Sequence, residues 1–174
     1  RDNMLEMAKN GKWTGGKIPV GFTSEKKKYI DDEGNMRQKS SLVQNKEELE
    51  FVKFLYQKYL ELGSLHKLEC YLSENNIKSK SGILFEKSTL KIILQNPIYV
   101  KADEDVIEYL QSNSWTVYGE TDNNHSLLTY NKTKQAKLNG KNVKIKNDIS
   151  ERIAAVSSIP GYIESKLWLD VQKQ

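Results

Sequence analysis

Residues 45–97, NKEELEFVKFLYQKYLELGSLHKLECYLSENNIKSKSGILFEKSTLKIILQNP, contain the pattern that decides the fold. Asn45 followed by Glu48 has the spacing of a capping box, which marks the start of a helix. Apolar residues then recur at helical spacing, and Gly63 is suited to end the helix after about Leu62. The recurring apolar positions are Leu49, Val52, Tyr56, Tyr59 and Leu60.

Two further helices are predicted directly after the first. Ser64 is a suitable N-cap for a second helix that ends near residues 75–76, and its apolar residues are Leu65, Leu68 and Leu72. A polar, basic stretch at 78–82 and a short strand at 83–85 follow. A third helix is predicted over 86–95, because Leu90, Ile93 and Leu94 lie on one face and Pro97 prevents its continuation.

Three consecutive helices, the third after a basic turn, fit a helix-turn-helix unit. In that geometry the third helix enters the major groove of DNA, and its N-terminal half faces the base edges. That half offers Lys87, Ser88, Thr89 and Lys91, and Gln95 could pair with adenine if it reached the groove. Lys78 and Lys80 in the turn are candidate phosphate contacts. Similar helical arrangements with exposed lysines also occur in proteins that never bind DNA.

The fold class predicted for the whole chain is α+β: a helix-turn-helix-like three-helix unit with a β-hairpin, followed by a smaller mixed α/β lobe. The hairpin is predicted over 22–43 with its loop at 31–35, since that loop is acidic and contains Gly34. Residues 131–142 are polar and Lys-rich and predict a mobile loop. The other predicted elements are helices at 1–10, 103–112 and 164–172 and strands at 115–118, 127–130 and 153–159.

Composition and charge limit the classes of function that the chain can have. The chain has 174 residues and a net charge of +4. Lys and Arg outnumber Asp and Glu by 10 to 6 in residues 1–46 and by 7 to 2 in 132–152, whereas 101–131 holds 1 against 6. Two basic segments that flank an acidic one could give the molecule a face attracted to phosphates. The single cysteine, Cys70, excludes an internal disulfide and a cysteine-based zinc site, and no apolar run is long enough to span a bilayer.

Five stretches in order resemble the recombinase domain of the large serine recombinases, the family of phage integrases and transposon resolvases. They are GKWTGGKIPVGF at 11–22, NKEE at 45–48, YLELGSL at 59–65, LSENNIKSKSG at 72–82 and STLKIILQNPIYV at 88–100. A looser similarity covers IPGYIESKLW at 159–168, and residues 101–150 match poorly in detail. Many relatives have Tyr where Val20 stands.

The resemblance implies a DNA-binding domain at 13–100, preceded at 1–12 by the end of a linker helix from a catalytic domain. Residues 101–174 would form a mixed α/β extension leading toward a zinc ribbon; the sequence given contains neither that ribbon nor the catalytic domain. Arg1, Lys12 and Lys17 are then expected to neutralise phosphates. Trp13 could pack on a DNA sugar or anchor the linker to the core, and the second is favoured. The hairpin lysines Lys26–Lys28 are expected to matter less if the hairpin points outward.

The implied partner is double-stranded DNA, with a parent protein that binds each site as a dimer and forms a tetramer in synapsis. No cofactor, metal or membrane is expected, the compartment would be cytoplasmic, and the source a bacterium, a phage or a mobile element. The alternatives are a winged-helix transcription regulator and a protein-interaction module that uses the helices at 51–62 and 103–112. An enzyme acting alone is not expected, because no Ser has a His and an acid at recognisable spacing.

Overall fold

The computed structural model describes residues 2–15, 17–131, 133–138, 141–146 and 152–174. Its helices are α1 (Asp2–Lys9), α2 (Lys46–Leu62), α3 (Leu65–Glu74), α4 (Lys87–Gln95), α5 (Glu104–Ser112) and α6 (Ser165–Lys173), with a 3-10 turn at Pro97–Tyr99. Its strands are β1 (Phe22–Ile30), β2 (Met36–Gln44), β3 (Thr116–Tyr118), β4 (His125–Asn131), β5 (Thr133–Leu138), β6 (Lys141–Lys146) and β7 (Arg152–Pro160). The predicted α+β class is confirmed.

Local sequence signals set the ends of α2 and α3 as predicted. The side chain of Asn45 accepts a hydrogen bond from the backbone N–H of Glu48, and the side chain of Ser64 accepts one from Lys67. Such N-caps are each worth about 1 kcal/mol, because they satisfy donors that have no partner within the helix. Gly63 ends α2 at φ 85°, a conformation that favours glycine.

The β-strands form separate small sheets. β1 and β2 make the predicted antiparallel hairpin, and a three-stranded sheet has the order β3-β7-β4, with β3 parallel and β4 antiparallel to β7. The predicted loop at 131–142 is wrong over most of its described length, because β5 and β6 pair there from Thr133↔Lys146 to Leu138↔Lys141. The alternation of polar and apolar residues in KNVKIK at 141–146 is typical of a strand. Residues 132, 139 and 140 lie outside the described part.

One cluster of buried residues joins the two halves of the chain. It includes Phe22 from the hairpin, Leu55 from α2, Leu90 from α4 and Trp168 from α6. α6 returns to pack against α2, α4 and α5, so residues near the end of the chain help to position the central helices. The domain boundaries at residues 12 and 100 stay a prediction. No described helix has the length and apolar character needed to cross a membrane.

Candidate nucleic-acid interface

Helix α4 has one buried and one exposed face. Leu90, Ile93 and Leu94 are buried, as the spacing predicts, and they fix the rotation of the helix about its axis. Because successive residues are about 100° apart, the remaining positions fall on the opposite side. The exposed residues are Lys87, Ser88, Lys91, Ile92 and Gln95, whereas Thr89 lies at the border and is half-buried. The exposed face is therefore polar and basic, with one aliphatic side chain.

The C-terminal end of α4 is held by side chains from two other helices. Pro97 has no N–H, so it cannot donate the hydrogen bond that the carbonyl of Ile93 would otherwise receive. The buried hydroxyl of Tyr56 on α2 donates to that carbonyl at 2.8 Å, and burial raises the pKa of Tyr56 well above its usual value. From α6, Gln172 donates to the carbonyl of Leu94 at 2.7 Å. These bonds set the direction of α4.

The N-terminal end of α4 is held by α2 and α3. The carboxylate of Glu69 on α3 accepts a hydrogen bond of 3.0 Å from the backbone N–H of Lys87. Phe85, directly before the helix, packs on Phe51 of α2 with ring centroids 5.6 Å apart. Glu69 thus occupies one backbone donor of this end of the helix and places a negative charge beside it, which disfavours an anionic ligand at the N-terminus itself.

Residues 75–86, between α3 and α4, form an ordered loop that is longer than the short turn of a standard helix-turn-helix. Lys78 pairs with Leu84 in an isolated antiparallel bridge, and the N–H of Ser79 donates to the carbonyl of Ile83 at 2.9 Å. Lys78 is exposed. Lys80 is also exposed, but its ammonium lies 2.5 Å from a carboxylate oxygen of Glu48, so Lys80 is partly neutralised within the protein.

The loop and the segment before the hairpin meet at the start of α2. One carboxylate oxygen of Glu48 contacts Lys80, and the other accepts a hydrogen bond of 3.2 Å from the backbone N–H of Gly21. Gly21 has φ +100°, and a Cβ there would lie 2.7 Å from the side chain of Leu49. Glycine is therefore required for the close approach of this segment to α2. Three separate stretches thus lie around the first turns of α2. They are residues 17–21, residues 78–82 and the start of α4.

The segment that precedes the hairpin carries two of the predicted phosphate contacts. Lys12 and Lys17 are exposed, whereas Arg1 lies outside the described residues. Trp13 is partly buried and packs against the core, as expected. Gly11, at φ +71°, lies so close to β7 that a Cβ would meet the carbonyl oxygen of Val156 at 2.0 Å. The glycine at this position therefore serves packing within the protein.

The predicted residues of α4 do not all lie at the same end of the molecule. Lys87 and Ser88 are in the first turn, beside Phe85 and the loop. Lys91 and Gln95 instead border an opening of about 190 Å³ at the other end, together with Gln172 and Gln174 of the α6 end of the chain. A ligand along the exposed face of α4 would therefore meet Lys87 and Gln95 at opposite ends of the helix.

Sequence reasoning missed one residue on this face. Ile92 is 67% exposed, the highest value among the large apolar side chains of α4. It falls four residues after Ser88 and outside the inward group at 90, 93 and 94, so its position in the helical pattern could have indicated that it faces solvent. An exposed isoleucine among polar residues suits an apolar contact, such as the methyl group of thymine.

The described residues contain no group of three or more His, Cys, Asp or Glu side chains placed to hold a metal ion. His66 and Cys70 lie one helical turn apart on α3, with Sγ and Nε2 separated by 3.6 Å. His125 contacts Asp122, and hydrogen bonds from the backbone and then the side chain of His125 lower the pKa of Asp122 to about 2. Both pairs are explained as local contacts within one helix or turn.

The helices and sheets make this chain an α+β protein built around a three-helix unit, one helix of which presents a polar and basic face. A family model named Recombinase matches residues 46–174, so the chain belongs to the Recombinase family. The match includes residues 101–150, where the motif resemblance was weak, and it agrees with the recombinase domain of the serine recombinases. No curated protein and no solved structure matches the chain. Membership associates the chain with site-specific DNA recombination.

Proposed function

We propose that this chain is the DNA-recognition part of a site-specific serine recombinase and that it positions the parent enzyme on its attachment site for strand exchange. The observation that carries the proposal is the exposed face of α4. Lys87, Ser88, Lys91 and Gln95 are there free of the core, and these residue types hydrogen-bond base edges or neutralise phosphates.

The buried face of α4 supports the same proposal. Leu90, Ile93 and Leu94 hold one side of the helix, while Tyr56 and Gln172 hold its C-terminal carbonyls. A recognition helix has to be rigid, because a side chain displaced by about 1 Å no longer hydrogen-bonds a base with good geometry. α4 is therefore a short helix that is held by α2, α3 and α6 and is exposed on its remaining face.

The phosphate contacts would come from the loop and from the segment before the hairpin. Lys78, in the loop between α3 and α4, and Lys12 and Lys17, before the hairpin, are all exposed. Lys80 would exchange its partner Glu48 for a phosphate, so we expect it to contribute less than Lys78. In this proposal the parent protein supplies strand cleavage, binds each site as a dimer and forms a tetramer in synapsis, and this chain needs no cofactor.

The test is duplex binding at increasing salt, measured by fluorescence anisotropy with a 30-base-pair duplex of random sequence. We expect log K to fall linearly with log salt. On a duplex of random sequence, Lys87 and Lys91 neutralise phosphates instead of reading bases, so Lys87→Gln with Lys91→Gln should make the slope shallower by about 1.8, at about 0.9 for each lost contact. Lys166→Gln on α6 is the control, because Lys166 is exposed and lines neither opening described here. Binding that does not respond to salt would refute the proposal.

The same experiment separates the alternatives. A protein-interaction module would bind no duplex at any salt concentration. A transcription regulator would also bind DNA, but family membership favours the recombinase. The order of elements also argues against a winged-helix regulator, in which a hairpin would follow the third helix. Here the β1–β2 hairpin precedes the three helices, and the described residues directly after α4 form the 3-10 turn at Pro97–Tyr99.

A further inference from the structure

A groove of about 830 Å³ lies between the N-terminal segment and the stem of the β1–β2 hairpin. We refer to it as the stem groove. The N-terminal segment contributes Met7, Lys12, Trp13, Thr14 and Gly15, and the hairpin contributes Lys27, Lys28, Tyr29, Gln38, Lys39 and Ser40. Four of these described residues are lysines and none is an aspartate or glutamate. The groove is therefore strongly basic in a molecule whose net charge is only +4.

Two of the lysines are placed against each other by the hairpin itself. Lys27 and Lys39 are directly opposed in the β1–β2 register, so their side chains leave the same face of the hairpin. Like charges in directly opposed positions destabilise a strand pair. A feature that breaks a local rule of stability in this way is expected at a functional site. A bound anion would remove the repulsion.

Three of the four acidic residues of the hairpin are at its tip, and the fourth, Glu25, lies in β1 but does not line the stem groove. Asp31, Asp32 and Glu33 form the turn, where Asp31 accepts a hydrogen bond from Arg37 at 2.9 Å. That bond, followed by one from the backbone of Asn35, lowers the pKa of the Asp31 carboxyl, which keeps the tip negatively charged. The tip would be repelled by a polyanion, whereas the stem would attract one. An anionic ligand would therefore lie across the stem groove and away from the tip.

The base of the hairpin lies beside the start of α2 and the loop before α4. The hairpin begins and ends at the start of α2, where the N–H of Asn45 donates to the carbonyl of Gly21 at 2.8 Å. Lys80 of the loop before α4 reaches the same point through Glu48, which also binds Gly21. The loop before α4 and the base of the hairpin are therefore neighbours, and a duplex that contacts the loop and α4 would have to extend past this base to reach the stem groove.

We infer that the stem groove binds the sugar–phosphate backbone of the same duplex, beyond the bases that α4 reads, through Lys27, Lys39 and Lys12. This inference rests on the proposed function. A duplex fits better than single-stranded DNA, because Trp13 is packed against the core and only Tyr29, 47% exposed, is left among the lining residues for base stacking, whereas four lysines suit a phosphate backbone. The hairpin lysines are thus assigned a larger role than the sequence suggested.

The test compares Lys27→Gln/Lys39→Gln with the unmodified protein on the same random-sequence duplex. We expect the slope of log K against log salt to become shallower by about 1.8, and by about 0.9 for either single substitution. The ratio of the variant Kd to the wild-type Kd should then be about twelvefold larger at 50 mM than at 200 mM salt. Lys166→Gln is the matched control, with no change in slope.

Stability is measured in parallel. Because the substitutions remove a repulsive pair, the Tm of the double variant should be equal to or higher than that of the wild type.

An unchanged slope in the double variant would refute the inference. The inference would also be refuted if the double variant bound a single-stranded oligonucleotide more weakly than the wild type but bound the duplex equally well. If Lys27→Gln/Lys39→Gln keeps the wild-type salt slope while Lys87→Gln/Lys91→Gln has a shallower one, the groove assignment fails and the proposed function stands. If the unmodified protein binds no duplex, both fail.

Discussion

Tyr56 shows how one side chain links the core to the candidate recognition helix. Its ring is buried among α2, α4 and the 3-10 turn, with the ring of Tyr99 at 6.3 Å, and its hydroxyl satisfies the carbonyl that Pro97 leaves without a donor. The nearby hydroxyl of Tyr99 donates to the carbonyl of Val20 at 2.5 Å, which ties the segment before the hairpin to the same core. Two tyrosines thus satisfy backbone carbonyls in two different parts of the proposed interface.

Tyr56→Phe is expected to lower the free energy of unfolding by about 1–3 kcal/mol, since it leaves a buried carbonyl without a partner. Urea denaturation measures this loss. The substitution should also reduce the loss of stability in alkali. The pKa of Tyr56 is raised in the folded state, so its contribution is complete below about pH 10 and declines as pH rises above that value. Equal pH profiles for the two proteins would contradict this account.

Ile92 provides a test of base contact at the level of one methyl group. The probe is a duplex selected from a randomised library by the unmodified protein and prepared with either thymine or uracil. We expect about fourfold tighter binding to the thymine form, since a buried methyl is worth ~0.8 kcal/mol. Ile92→Ala should bring the ratio close to one. Met36→Ala, another exposed apolar residue but at the acidic hairpin tip, should leave the ratio unchanged; a similar fall in both variants would exclude the contact.

At the scale of elements, the sequence predicted what local chemistry determines. The caps of α2 and α3 and the inward face of α4 depend on residues within one or two turns of each other, and all three are confirmed. The bonds that orient α4 were not predictable, because Tyr56 and Ile93 are 37 residues apart and Gln172 and Leu94 are 78 apart. The same limit applies to the ion pair of Lys80 with Glu48, which no local pattern indicates.

The support that α6 gives to α4 can be tested with two glutamines. Gln172→Ala removes the donor to the carbonyl of Leu94 and should cost about 0.5–1.5 kcal/mol of stability. Hydrogen exchange should become faster in the last turn of α4. Gln174→Ala is the matched control, since Gln174 donates to the exposed carbonyl of Gly63 instead. Equal exchange in the two variants would show that α6 does not hold this end of α4.

At the scale of the whole molecule, the parallel pair β3–β7 brings residues 116–118 beside 153–155. The individual strands were predicted from their patterns, but the pairing was not, because a parallel partner is not specified by neighbouring residues. The motif resemblance indicated the family, and the spacing of apolar residues predicted α4. Neither indicated the stem groove, which depends on how the N-terminal segment crosses the hairpin.

The attachment of the N-terminal segment to β7 can be tested at Gly11. Gly11→Ala places a Cβ against the carbonyl oxygen of Val156 and also forces alanine into φ +71°. Gly15→Ala imposes a similar φ, +98°, without any atom within 4 Å, and should cost about 1–2 kcal/mol. We expect Gly11→Ala to lower Tm further than Gly15→Ala, because only Gly11 is required for packing. Equal losses would refute the close approach as the reason.

The hydrogen bond from Gln172 to Leu94 has a consequence for synthesis of the chain. α4 leaves the ribosome 78 residues before its partner does, an interval of roughly 4–16 s at ordinary rates of translation. During that time Tyr56 can already dock, whereas the carbonyl of Leu94 has only water as a partner. The nascent helix therefore acquires its final orientation only after Gln172 has been synthesised, and a chain released before that point would carry the exposed residues of α4 without the support of α6.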